Sequence, residues 1–272
     1  MTYVDTPNKK QKHPHYEHRA AKLDQKDNEF SSKKFHQVRK VSTHKKLLKS
    51  FGRIGMCLND KPASIVPTDN LDKVCFILVN DYDNGQNDLG VGPLNDGYLV
   101  GLKHHRLGFK VFYLYNSRSE EFATYLAFFM FRTSEALTVF YSGREGKGDG
   151  IEFSNGSLSK NYISEVISKN YNKNVRALFI TDCIGGGSVF DIYGCSNMIS
   201  LSVENKESLE SKEYKRLHGI FTYYFSKITS DSPNITPNRL AERMNPSLNR
   251  FNEVFTYELS SEDLGDTPIF FN

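Results

Sequence analysis

Residues 175–191, Val-Arg-Ala-Leu-Phe-Ile-Thr-Asp-Cys-Ile-Gly-Gly-Gly-Ser-Val-Phe-Asp, constrain this chain more than any other stretch. An apolar run that stops at glycines reads as a strand buried on both faces, the kind found in the middle of a parallel sheet. In open α/β sheets, ligands and reacting groups collect where such strands end. This one ends in an acid and a thiol, Asp182 and Cys183. A second strand, Leu137-Thr-Val-Phe-Tyr-Ser-Gly143, stops in the same way and runs on into Arg144 and Glu145. If the two strands are neighbours, Arg144, Asp182 and Cys183 meet at one edge of the sheet.

The rest of the chain supplies the partners such a strand needs. Val74–Val79 and Phe109–Tyr115 read as further strands. Between them, Asn95 or Asp96 is positioned to cap a helix that runs to Arg106 and stops at Gly108. Ser117 with Glu120 and Glu121 opens a second helix, whose apolar face comprises Phe122, Tyr125, Leu126, Phe128, Phe129 and Phe131. Turns at Gly146–Gly150 and Asn155-Gly156 predict a hairpin, followed by a short helix at about residues 159–169. Met198–Val203 is another strand, helices follow at roughly 214–228 and 235–244, and Val254–Leu259 and Pro268–Phe271 have strand character. This alternation predicts an α/β fold, with a mostly parallel central sheet and helices on both faces.

Composition fixes the boundaries. The chain has 272 residues, 38% hydrophobic and 25% charged, which suits one globular domain with a tail. No apolar run approaches the ~18 residues of a membrane span. Residues 1–50 hold 13 Lys/Arg against 5 Asp/Glu, a balance of +8, which leaves −5 on the remainder of a chain whose total is +3. With few aliphatics and no sustained period, that segment is expected to be a disordered basic arm ahead of a folded domain at 51–272. An anionic partner for the arm, such as nucleic acid or a membrane surface, competes with a plain solvated tail; the tail is the simpler reading, and no nucleic-acid partner is expected. The four cysteines lack CxxC spacing and interleaved histidines, so free thiols in a reducing, cytoplasmic setting are expected, with no zinc site. The N-terminus has no apolar signal segment.

A cysteine hydrolase needs a thiolate, a base that later protonates the leaving amine, and backbone donors for the oxyanion. Cys183 and the glycines after it supply the first and the last. Arg144 stays protonated and cannot shuttle protons, although a guanidinium beside Cys183 would lower the thiol pKa. His104, His105 and His218 follow neither site strand and read as packing or surface residues. The acids Asp81, Asp83, Asp88 and Asp96 lack the spacing of a calcium-binding EF-hand loop and read as a solvated loop. A nucleotide site on Gly185-Gly186-Gly187, with Glu204 about 20 residues on, is a remote alternative: the pattern is not GxGxxG, and Ser188–Asn197 leaves little room for a crossover helix.

The order strand, helix, strand, helix, strand ending Tyr141-Ser-Gly143, hairpin, helix, strand ending Asp182-Cys183 resembles the caspase/metacaspase family of cysteine endopeptidases across most of residues 70–271. Asn95-Asp96-Gly97, Leu107-Gly108-Phe109, His218-Gly-Ile-Phe-Thr-Tyr223 and Thr267-Pro268 are further echoes. The resemblance implies a caspase-like sandwich in which the first site strand ends in Ser-Gly-His-Gly, with His as base, and the second in Asp-Ser-Cys-His-Ser-Gly-Ser, with Cys as nucleophile. This chain has Arg144 where that base stands. Ungapped, the second motif puts Ile184 at the nucleophile; with one extra residue allowed in the glycine run, Cys183 takes that place. The resemblance further implies that Asp182 matches an acid that selects basic substrate residues, and that Gly143 and Gly185 flank the substrate. The expected function is therefore a pseudopeptidase that binds or regulates an active family member, or binds a peptide with basic residues. The alternative is an endopeptidase acting at Lys/Arg through Cys183. No cofactor is required, though the resemblance leaves calcium open.

Overall fold

The computed structural model describes residues 44–67, 69, 71–82, 89–184, 187–205 and 219–270. The expected arm up to residue 43 lies outside these residues, as do Asp83, Asp88, Gly185, Gly186 and His218. Along the chain the elements are α1 (His44–Phe51), β1 (Gly55–Cys57), β2 (Lys73–Val79), α2 (Gly92–Arg106), β3 (Lys110–Tyr115), α3 (Ser119–Arg132), β4 (Ala136–Gly146), β5 (Gly150–Phe153), β6 (Gly156–Leu158), α4 (Lys160–Asn170), β7 (Arg176–Ile184), β8 (Met198–Asn205), α5 (Ile220–Asp231), α6 (Pro237–Leu248) and β9 (Glu253–Leu259).

The main sheet has the order β1-β3-β2-β4-β7-β8-β9, and every pairing in it is parallel except that of β9 with β8. The expected mixed, mostly parallel sheet flanked by helices is thus present. β2, β4 and β7 carry apolar residues on both faces because both faces are covered. Ile77, Phe140 and Ile180 face one core, with α1, α2, α5 and α6; Phe76, Val139 and Phe179 face the other, with α3 and α4. The β5–β6 hairpin continues from the end of β4, where Glu145 pairs with Ile151 and Phe153 with Gly156.

Several expectations change. The helix expected to be capped by Asn95 or Asp96 begins earlier, at Gly92, with Pro93 in its first turn. Both residues are buried inside the helix, and the Asp96 carboxyl is used elsewhere. α3 starts at Ser119, where Glu121 reaches back to the Arg118 N–H at 3.0 Å. Its apolar face does not extend to Phe131, which is 64% exposed and lies against the Arg132 guanidinium. Pro268–Phe270 does not join the sheet: Ile269 N–H donates to the Ile235 carbonyl at 2.9 Å, and Ile269 and Phe270 are buried against the helical layer.

The largest change lies at the front of the domain. Residues 44–50, expected to belong to the arm, form most of α1, which buries Leu47 and Phe51. The Phe51 ring stacks on Tyr113 with centroids 4.0 Å apart. At its first residue, His44 Nε2 lies 2.8 Å from the buried Asp81 carboxylate, which also accepts from Tyr115 Oη at 2.9 Å and Asn116 Nδ2 at 2.7 Å.

Candidate functional site

The register between β4 and β7 pairs Ser142 with Asp182, Gly143 with Cys183, and Arg144 with position 184. Residues in register on parallel strands share a face, and successive residues alternate between faces. Ser142 and Asp182 therefore belong to the α2/α5 side, and Arg144 follows Ser142 onto it. Cys183 belongs to the α3/α4 side, where it packs in the core with Tyr141. The two ends that the sequence singles out are brought together, but the expected support of a Cys183 thiolate by Arg144 is not: alternation sends the two side chains to opposite faces.

On the α2/α5 side, two acids converge on the start of α5. Both oxygens of Asp96 lie 3.0 Å from the Gly219 N–H, and Ser142 Oγ donates to Asp96 Oδ2 at 3.2 Å. Asp182 Oδ2 accepts from Thr222 N–H at 3.0 Å and from Thr222 Oγ1 at 2.5 Å. The first N–H groups of a helix have no partner within it and carry partial positive charge, so carboxylates from α2 and β7 are well matched to them. Gly219 is needed for this approach: a β-carbon there would lie 2.0 Å from Asp182 Oδ2. The hydrogen-bond partner of Asp182 is thus Thr222 rather than Arg144.

The Asp96 carboxylate sits close enough to act on Asp182. Desolvation of the Asp182 carboxyl, and then the neighbouring Asp96 carboxylate, push its pKa up to about 8 against the opposing hydrogen bonds from Thr222. The residue as a whole keeps partial exposure, and the bonds from Thr222 all fall on Oδ2 rather than Oδ1. Burial and the neighbouring carboxylate thus favour the protonated form of Asp182.

The other side is closed. Cys183 is buried, with its Sγ 4.0 Å from the Gly187 carbonyl. Tyr141, fully buried, donates to the Arg144 carbonyl at 2.5 Å and lies 3.3 Å from the Tyr82 hydroxyl. Tyr82 in turn donates to the Glu152 carbonyl at 2.9 Å. Burial pushes the Tyr82 phenol up to about 12, and burial, assisted by Tyr82 and Cys183, holds Tyr141 well above its ordinary value. Protonated phenols are poor bases for a thiol. A β-carbon on Gly143 would lie 2.5 Å from the Tyr141 hydroxyl, so this glycine has a packing reason of its own.

The described histidines have other occupations. His104 is buried, with Nδ1 2.8 Å from the Val100 carbonyl and its ring edge-on to Phe109 and Phe270; burial lowers its pKa to about 4. His105 is exposed at the end of α2. Among the described residues no group of three His, Cys, Asp or Glu side chains could hold a metal ion, all four cysteines are free thiols, and no helix is long and apolar enough to cross a membrane. Residues 187–197 reach β8 without a helix, so Gly187 does not open the crossover helix that a dinucleotide site requires. Asp96, Ser142, Gly219 and Thr222 are the site residues that sequence reasoning missed. Asn95-Asp96-Gly97 was a visible signal, read as a helix start.

No family model and no curated protein matches this chain. Among solved structures, the crystal structure of protein GSU0716 from Geobacter sulfurreducens is similar over 72% of this chain and 97% of its own, with a TM-score of 0.55 and 11% identity. The likeness is one of fold.

Proposed function

We propose that this chain is a non-catalytic protein of caspase-like architecture that binds a Lys or Arg side chain of a peptide, or of an active relative, at the Asp96–Asp182 pair. The observation that carries this reading is the register of β4 and β7. It sets Arg144, where the resemblance implies His, beside Ile184, where the resemblance matched without a gap implies Cys. A guanidinium is no proton shuttle and an aliphatic side chain is no nucleophile. Two acids and the Ser142 hydroxyl remain on the same side of the sheet, offering negative charge in a desolvated setting where a cation is worth more than in water.

Pairing with a cation requires Asp182 to release its proton, so affinity should rise with pH up to about 8 and then level off. The test is fluorescence anisotropy with a labelled Arg-containing peptide and its citrulline counterpart, which keeps the shape and loses the charge. The Arg peptide is expected to bind at least about tenfold more tightly at pH 8, an advantage that shrinks toward pH 6 and is lost in Asp182→Asn. Equal binding of the two peptides, or an advantage untouched by Asp182→Asn, contradicts the reading.

A further inference from the structure

The main sheet ends at β1, a strand of three residues against β3. In a parallel ladder, alternate residues bond to a given neighbour. Leu58 N–H donates to the Tyr113 carbonyl at 2.9 Å, so Met56 and Leu58 share the phase that faces β3. Gly55 and Cys57 turn their backbone groups outward. Lys61 Nζ donates to the Cys57 carbonyl at 2.6 Å, which leaves the outward N–H groups of Gly55 and Cys57 and the Gly55 carbonyl along the edge. β1 has no second strand among the described residues.

A cavity of about 750 Å³ runs along this edge, from Gly52 to Cys57 and across the first half of β3. Its lining includes Arg53, Lys61, His105 and Lys110 and no acid. Arg53 is exposed, while the amines of Lys61 and Lys110 donate to the neutral carbonyls of Cys57 and Asp69. The positive charge along the edge is therefore not balanced by a carboxylate of the lining. Ile54 and Met56, both half-buried, supply apolar surface between the cations. Basic residues beside a short edge strand discourage pairing with a second copy of the same edge, because like charges would face one another. The same residues favour a strand of opposite charge.

We propose that β1 is a docking edge for an extended acidic segment of a partner protein, which adds to the sheet as a further strand. Main-chain bonds to Gly55 and Cys57 would hold the segment, and carboxylates on it would meet Arg53, Lys61 and Lys110. This surface is separate from the acid pair and does not depend on it.

The test uses the full chain and a fluorescein-labelled peptide of alternating Glu and Val, with anisotropy as the readout. Controls are the Lys/Val peptide and two forms of the Glu/Val peptide, N-methylated at alternate residues in one phase or the other. Saturable binding of the Glu/Val peptide is expected, weakened by salt and absent for Lys/Val. Methylation in one phase should weaken it about tenfold, while the other phase leaves it nearly unchanged. Arg53→Glu should weaken it several-fold with an unchanged melting temperature. Binding that is indifferent to both methylation phases, such as a simple anion site would give, overturns the proposal. So does the absence of saturable binding.

Discussion

Asp182 concentrates the physical chemistry of the site in one side chain. Its folded pKa of about 8 stands above the ~3.9 of an unfolded aspartate, so the folded state binds the proton more tightly. The stability linked to that proton is fully present below about pH 4 and is lost as the pH climbs through 8. Urea midpoints of the wild type should therefore fall between pH 5 and pH 8.5. In Asp182→Asn, which keeps an acceptor for Thr222 and cannot ionise, they should fall much less; parallel curves would contradict the assignment. Gly219→Ala places a β-carbon against the same carboxyl and is expected to cost about 1–3 kcal/mol in denaturant unfolding. A third expectation concerns the thiols. Cys57 and Cys195 are half-buried, whereas Cys75 and Cys183 are buried, so native-state alkylation followed by mass spectrometry should label the first two faster. Preferential labelling of Cys183 would mark it as an activated nucleophile.

At the scale of elements, legibility followed burial. β2, β4 and β7 were readable because strands covered on both faces must be apolar throughout, and glycines mark where they stop. β1 was not, since three residues carry no period and its place depends on β3. α1 was hidden by charge: its lysines continue the composition of the arm, while the two residues that dock it, Leu47 and Phe51, are too few to stand out. Phe51→Ala is expected to cost about 3–5 kcal/mol in the same unfolding measurement, the range for truncating a buried aromatic; a change below 1 kcal/mol would mean that α1 is not docked as described. The acid pair was half legible. Asp182 stands out at a strand end, but the group that Asp96 serves, the Gly219 N–H, lies 123 residues further along the chain, and no local pattern announces such a contact.

For the whole molecule, the sheet joins the ends of β4 and β7, where Gly143 pairs with Cys183 and Arg144 with position 184. It also leaves acids on one side of that junction and a basic edge at β1. We propose that the scaffold binds without cutting. The most direct test is the cleavage of fluorogenic peptides ending in Arg, Lys or Asp, with and without calcium, by the wild type, Cys183→Ala and the double variant Arg144→His/Ile184→Cys. No turnover is expected from the first two and measurable turnover from the double variant. Turnover by the wild type that Cys183→Ala abolishes would contradict it.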